Sequence, residues 1–255
     1  MKKVLWSVGI LLVLLATAAL VGPSLVNWND YKDDITYQVR KAIGREISIH
    51  GDIRITVLPV PAFVAKEVSI ANPVGATSPN LARFKSIEVR IALGPLLSGQ
   101  ITVETVRLID PVIELEVLAD GSKTWEFNLL AGNTALVPLS TGERPAPESK
   151  GAALTPTVVL DNFTIENGTI TYRDNTAGTV ERISGLNARV VAASLNGPFE
   201  SAGSMLARGV PLDFDVDVGE IIHNRTLPVV LSLGIKPSGM KLQLNGTLVG
   251  LDDVP

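Results

Sequence analysis

Leu212-Asp213-Phe214-Asp215-Val216-Asp217-Val218 decides the fold. Apolar and acidic residues alternate through it without a fault. Successive side chains of an extended strand point to opposite faces, so Leu212, Phe214, Val216 and Val218 share one side and the three aspartates the other. A helix would scatter the same residues around its circumference. Sliding the strand by one position would turn its whole apolar set to water, so its register is strongly specified.

The two-residue period continues outward. Val229, Leu231, Leu233 and Ile235 follow, then Met240, Leu242 and Leu244 opposite Lys241, Gln243 and Asn245. Upstream, Ile47 and Ile49 alternate with Ser48 and His50, and after the break at Gly51-Asp52 come Ile53, Ile55 and Val57, ended by Pro59 and Pro61. Ile87–Ile91, Ile101–Leu108 and Ile113–Val117 repeat the rhythm. Phe163 and Ile165 lead to Asn167-Gly168 and then to Ile170 and Tyr172, which reads as a hairpin. Asn72-Pro73-Val74-Gly75, Leu93-Gly94-Pro95 and Asp120-Gly121 are turn chemistry. Val68-Ser-Ile-Ala-Asn-Pro, Val106-Arg-Leu-Ile-Asp-Pro and Phe163-Thr-Ile-Glu-Asn-Gly echo one another, as strand-turn grammar or as a weak repeat.

One segment has helical period. Tyr31, Ile35, Val39 and Ile43 recur every fourth residue, with Asn29 or Asp30 as the expected cap and Gly44 as the stop. Asp33 and Asp34 early and Arg40 and Lys41 late match the helix dipole. Before it, Lys2 and Lys3 precede the charge-free run Val4–Val21. A bilayer span needs roughly 17–25 apolar residues, and the lysines place the N-terminus on the cytoplasmic side. The competing reading is a cleaved signal peptide ending at Ala16-Thr17-Ala18, but Leu20 and Val21 carry the apolar run past it. Under either reading the rest of the chain is exported.

Composition excludes several classes. The formal charge of −4 and the lack of a basic stripe argue against nucleic acid. There is no cysteine, hence no disulfide or thiolate chemistry. His50 and His223 stand far apart beside turns, without zinc-ligand spacing. Gly121-Ser122-Lys123-Thr124 has Ser122 where a phosphate loop needs glycine, and Val117 where it needs the first one. No Gly-x-Ser-x-Gly turn is present. Asp213, Asp215 and Asp217 are spread along a pleat instead of converging on a cation, which reads as a solvated face. The four Asn-x-Thr triplets at Asn162, Asn167, Asn224 and Asn245 are read as chance. No enzyme, cofactor or metal site is expected.

The expected fold is therefore mainly β, with an N-terminal transmembrane helix, one amphipathic helix and an elongated, curled antiparallel-type sheet. Its parts are an anchor (1–27), a helix-plus-strand unit (28–130), a Pro-rich flexible linker (131–157) and an all-strand unit (158–255) that reads as incomplete. With one helix for so many strands, either two sheets cover each other or the sheet curls around something apolar that is not protein. Leu212, Phe214, Val216, Val218, Leu231, Leu233, Leu242 and Leu244 are the candidates for lining such a lipid groove.

The order of several motifs resembles the start of AsmA-family proteins. Trp28-Asn-Asp-Tyr31-Lys32 comes first, then Gly44-Arg45-Glu46, Gly51-Asp52-Ile53, Leu58-Pro59-Val-Pro61-Ala62 and Val68-Ser-Ile-Ala71-Asn72. Ser86-Ile87-Glu88-Val89, Pro95-Leu96-Leu97-Ser98-Gly99, Val106–Pro111, Asp120-Gly121 and Trp125-Glu126-Phe127 complete it, so the resemblance spans Met1–Leu130. It implies an inner-membrane-anchored, periplasmic, β-rich protein of outer-membrane biogenesis, related to TamB-like envelope proteins. Its implied partners are the membrane, phospholipid and envelope assembly proteins, and it brings no catalytic residues. Family members are longer, so Pro255 reads as the end of a fragment.

Overall fold

The computed structural model describes residues 6, 7, 10, 22, 26–57, 60–92, 94, 95, 102–126, 160–192, 198–219, 226–236 and 238–249. The expected anchor and the expected linker over 131–157 therefore lie outside the described residues, apart from residues 6, 7, 10, 22, 26 and 27. No helix among the described residues is long and apolar enough to cross a membrane.

The Asn27 side chain accepts from the Asn29 N–H at 3.3 Å and opens a 3-10 turn over Trp28–Tyr31. Helix α1, Lys32–Ile43, follows, and Gly44 ends it in the left-handed conformation with its N–H donating to the Arg40 carbonyl at 2.8 Å. The helix itself has Tyr31 at its N-cap position with no side-chain cap bond, so neither Asn29 nor Asp30 caps it as expected, and Asn27 caps the turn ahead of it. Asn29 is committed elsewhere, accepting from the Ile53 N–H at 3.0 Å and so tying the turn to the sheet. Ile35 and Trp28 pack on the core, whereas Tyr31 and Val39 remain exposed.

Among the described residues twelve strands form a single sheet. They are β1 (Ile47–Ile49), β2 (Ile53–Thr56), β3 (Ala62–Ala71), β4 (Asn80–Ile91), β5 (Val103–Ile109), β6 (Val112–Val117), β7 (Leu160–Asp174), β8 (Thr179–Ala192), β9 (Phe199–Ala207), β10 (Val210–Val218), β11 (Thr226–Ile235) and β12 (Met240–Val249). The order is β1-β3-β4-β5-β7-β8-β9-β10-β11-β12, with β2 beside β3, and β6 between β4 and β7. The sheet is mixed and not antiparallel throughout: β7 runs parallel to both β5 and β6, joining strands on either side of residues 131–157.

The parallel register explains the sequence echoes. Val106 lies beside Phe163, Leu108 beside Ile165 and Val112 beside Thr169, so Asp110-Pro111 and Asn167-Gly168 fall at the same level. Two of the three echoes are thus neighbours in space. Asn167-Gly168 is no hairpin, because β7 runs through it as one 15-residue strand. The register with β8 gains a residue there, the signature of a bulge. Gly168 is required, since a Cβ would meet Ile165 Cγ2 at 2.9 Å and Pro111 Cγ at 3.3 Å.

That level is a seam across the sheet. Glu67, Asp110, Asn167 and Gly185 all adopt positive φ, at 50°, 46°, 52° and 57°. On β3 the core residues Ala65 and Val68 are three apart, as are Phe84 and Ile87 on β4. Strict alternation would place the members of each pair on opposite faces. The slip, taken by neighbouring strands at one level, keeps both halves of each apolar pattern on the same side. Polar contacts stitch the seam. Lys85 Nζ stands 3.2 Å from Asp110 Oδ2, Asn167 Nδ2 donates to Asp110 Oδ1 at 2.7 Å, and the Asn167 N–H donates to Asn187 Oδ1 at 3.0 Å.

A buried carboxylate ties three turns together at the end of the sheet where β6 finishes. Glu116 accepts from the Thr77 N–H at 2.8 Å, the Thr77 hydroxyl at 2.6 Å and Asn175 Nδ2 at 2.7 Å. Its own N–H donates to the hydroxyl of fully buried Thr124. Arg45, just past α1, donates to the carbonyls of Thr124 and Glu126, so two of the family-like motifs meet here. Burial pushes the Glu116 carboxyl up, but the hydrogen bonds from Thr77 and Asn175, with Arg173 nearby, outweigh it and hold the pKa below its ordinary value. A depressed folded-state pKa gives stability that is present above the unfolded value and lost as pH falls through the folded one. Glu116→Gln is expected to cost about 1–3 kcal/mol at neutral pH, because it leaves buried donors unpaired. Chemical denaturation against pH should show the wild-type advantage shrinking below the ordinary value of 4.5. A difference that stays constant through that range contradicts the assignment.

Candidate functional site

The candidate site is the apolar face of the second half of the sheet. On β10, Leu212, Phe214, Val216 and Val218 are partly buried while Asp213, Asp215 and Asp217 are exposed, as the alternation requires. The pairing of β10, β11 and β12 is unbroken. It sets Phe214 beside Leu233 and Leu233 beside Leu242, then Val216 beside Leu231 and Leu231 beside Leu244. Leu212 continues through Ile235 to Met240, and Val218 through Val229 to Gly246. All eight residues singled out from sequence therefore share one face. The same rows run back through Gly203 and Ala188 to Ile165, Leu108, Ile87 and Ala65.

Cover is uneven along this face. Among the described residues every buried apolar side chain lies at or before Ala192. The cluster of Ile53, Ala65, Val68, Ala82 and Phe84 sits under α1 and the Trp28 turn. Beyond β9 the described residues supply no second layer. Met240, Leu242 and Leu244 are 61%, 51% and 52% exposed. Phe214 is better held: its ring lies over Gly203, where an added Cβ would come within 2.7 Å of Cζ. No side chain larger than hydrogen fits there.

The opposite face is polar and cross-linked. Arg107 makes a bidentate pair with Glu166 at 2.6 and 2.9 Å, across the parallel strands β5 and β7. Glu88 on β4 joins it to Arg90, and Lys236 pairs with Asp213 at 2.9 Å. Two faces of opposite character exist on one layer, and beyond β9 the apolar one has no covering layer among the described residues.

Other candidates do not assemble a site. His223 lies outside the described residues. Among the described residues no three His, Cys, Asp or Glu side chains are grouped to hold a metal ion. The Gly121–Thr124 segment is a structural turn, with Asp120 Oδ1 accepting from the Ser122 N–H at 2.9 Å and Thr124 buried against Glu116. Sequence reading missed the contribution of β8 and β9 to the apolar face. Ala188, Val190 and Ala192 on β8, and Phe199, Ser201, Gly203 and Met205 on β9, continue it. Small residues blur their alternation, so only the register with β10 exposes the pattern.

A family model described as the AsmA family matches residues 1–209, further than the motifs quoted from the sequence reach. Protein AsmA of Escherichia coli (strain K12) is 34% identical over 140 residues, covering 55% of this chain. The same match covers 22% of that relative, so the chain corresponds to about a fifth of its length. No solved structure matches.

The uneven cover gives a direct test. Leu242→Asp places a charge on an open strand and should cost about 1 kcal/mol or less. Phe214→Asp removes a ring packed on backbone and should cost about 2 kcal/mol or more. Thermal or urea unfolding of the two variants measures the difference. Equal, large losses would mean that the β12 side of the face is covered in solution.

Proposed function

The chain belongs to the AsmA family, and from that premise we propose that it is a membrane-anchored envelope protein that holds phospholipid acyl chains on its open apolar face. Val4–Val21 supplies the anchor, with Lys2 and Lys3 keeping the N-terminus cytoplasmic and the sheet on the periplasmic side of the inner membrane. The observation that carries the reading is the apolar row continuing across β10, β11 and β12 with no protein layer over it among the described residues. Contiguous exposed apolar surface of this kind marks an interaction or ligand site. Acyl chains suit it chemically. They need no hydrogen bonds, and the leucines and valines offer none, while Arg107, Glu88 and Glu166 hold their charges on the other side. In this reading the protein supports outer-membrane assembly by binding or guiding lipid, without catalysis.

A second reading rests on the β12 edge. Its ten residues pair with β11 without a register shift, and its other side faces no strand among the described residues. A long regular edge is a template for strand addition, which would make the protein a scaffold for a protein partner.

Native mass spectrometry of the full chain purified from membranes in mild detergent, with chemical extraction of its lipid, separates the two. The lipid reading expects bound phospholipid that is lost when Leu242 and Leu244 are both changed to Asp, with unfolding nearly unchanged. Lipid-free protein from cells, or lipid retained equally by that variant, contradicts it.

A further inference from the structure

We infer that the Glu181–Arg208 pair is the head-group subsite of the apolar face: Arg208 takes the phosphate of a zwitterionic, phosphoethanolamine-type head group and Glu181 takes its ammonium. The inference rests on the acyl-chain reading above and deepens it by naming the class of phospholipid that the face selects.

Register puts Glu181 where the pattern of the sheet otherwise excludes charge. On β8 it lies opposite Tyr172, whereas Arg182 and Arg189 lie opposite Thr171 and Thr164. Tyr172 lies beside Leu115, and Ile170 beside Ile113 of the core, so this row belongs to the apolar side. Glu181 therefore projects from that side and the two arginines from the other. Glu200 lies opposite Asp217, and Lys241 opposite Gly234 in the row of Asp213, all on the polar side. Among the strand residues of β8–β12, Glu181 is thus the one charge on the apolar face.

Arg208 reaches this charge from the next connection. With Gly209 it forms the two-residue turn between β9 and β10, both at positive φ, 51° and 79°. Such a turn favours Asn, Asp or Gly at its first position, so an arginine there carries a steric cost. Its reach is what the position gains: Nε donates to Glu181 Oε2 at 2.9 Å and Nη2 donates to Oε1. The Arg208 hydrogen bond also holds the Glu181 carboxyl below its ordinary range, so both charges are present at neutral pH.

Both groups stay open to a ligand. The Arg208 side chain is 78% exposed and that of Glu181 47%. Two of the five guanidinium N–H donors are used, and the carboxylate keeps acceptor positions of its own. The pair is neutral overall. A head group with one phosphate charge and one ammonium charge matches it group for group, whereas an anionic head group meets an uncompensated Glu181. Apolar surface begins directly beside it. Val210 pairs with Ala207 at the foot of the turn and is 41% exposed. From there Leu212, Phe214 and Val216 lead away along β10, which at about 3.4 Å per residue is about 27 Å long. The hydrocarbon core of a bilayer, two acyl chains deep, is about 30 Å thick. One chain therefore fits along the strand with its head group at the pair.

The test is a competition on the full chain in mild detergent, offered equal amounts of phosphatidylethanolamine and phosphatidylglycerol with identical acyl chains and read by native mass spectrometry. Glu181→Gln and Arg208→Gln alter an exposed pair, so the fold should tolerate both. Wild type should hold phosphatidylethanolamine about threefold over phosphatidylglycerol, the size expected for one exposed charge pair. Glu181→Gln should tip the ratio towards phosphatidylglycerol, and Arg208→Gln should lower retention of both lipids. A wild type that holds both equally or favours phosphatidylglycerol, or a preference that survives Glu181→Gln unchanged, overturns the subsite and leaves the acyl-chain reading standing. Wild type that retains neither lipid overturns both.

Discussion

Four residues in left-handed backbone conformation, on β3, at the β5–β6 junction, on β7 and on β8, fall at one level of the sheet and hold this architecture together. A strand keeps its apolar face only while its two-residue period is unbroken, and a single slip sends the rest of the pattern to the other side. Glu67, Asp110, Asn167 and Gly185 each carry such a slip. Because they fall at one level, neighbouring strands change phase together and the apolar side stays continuous. Asn167 and Asp110 suit the conformation because short polar side chains tolerate it by bonding locally, and here they bond to each other at 2.7 Å. The Asp110 carboxyl is held below its usual pKa by that hydrogen bond and by the Lys85 ammonium, so it stays ionised in its pair.

From this constraint the uneven distribution of the core follows. Strands β1–β4 carry α1 and the Trp28 turn as a lid and bury their apolar residues. Strands β9–β12 continue the same face by unbroken register, but the described residues bring no helix or second sheet to them. What holds them in the sheet is backbone pairing and cross-strand contact, such as Phe214 on Gly203 and Leu233 against Leu242. Among the described residues the sheet thus extends well past its lid.

The sequence made much of this legible. The alternation in Leu212–Val218, and its repeats to Leu244, identified the second-half strands and placed all eight candidate residues on one side. The helix and its Gly44 stop were equally plain, since period and punctuation agreed. Four features were hidden. Asn167-Gly168 has the local chemistry of a hairpin, and only the neighbouring strands decide that it is a bulge within one long strand. The parallel pairing of β7 with β5 and β6 leaves its trace in the echoed motifs, but their meaning depends on register between segments far apart in sequence. β8 and β9 present Ala188, Ala192, Ser201 and Gly203 to the apolar face, too small to stand out as a pattern. The Asn27 cap was obscured because Asn29, an equally good cap by type, is drawn to the Ile53 N–H.

The seam is tested most directly by the backbone requirement at Asn167, through equilibrium unfolding of Asn167→Gly and Asn167→Val. Glycine adopts the left-handed conformation freely and loses only the side-chain bond to Asp110. Valine loses the same bond and adds a steric cost of about 1–2 kcal/mol or more for that conformation. A coordinated seam predicts wild type as the most stable, glycine next and valine clearly last. Valine equal to or above glycine would contradict it, because β7 would then be passing the seam as an ordinary extended strand.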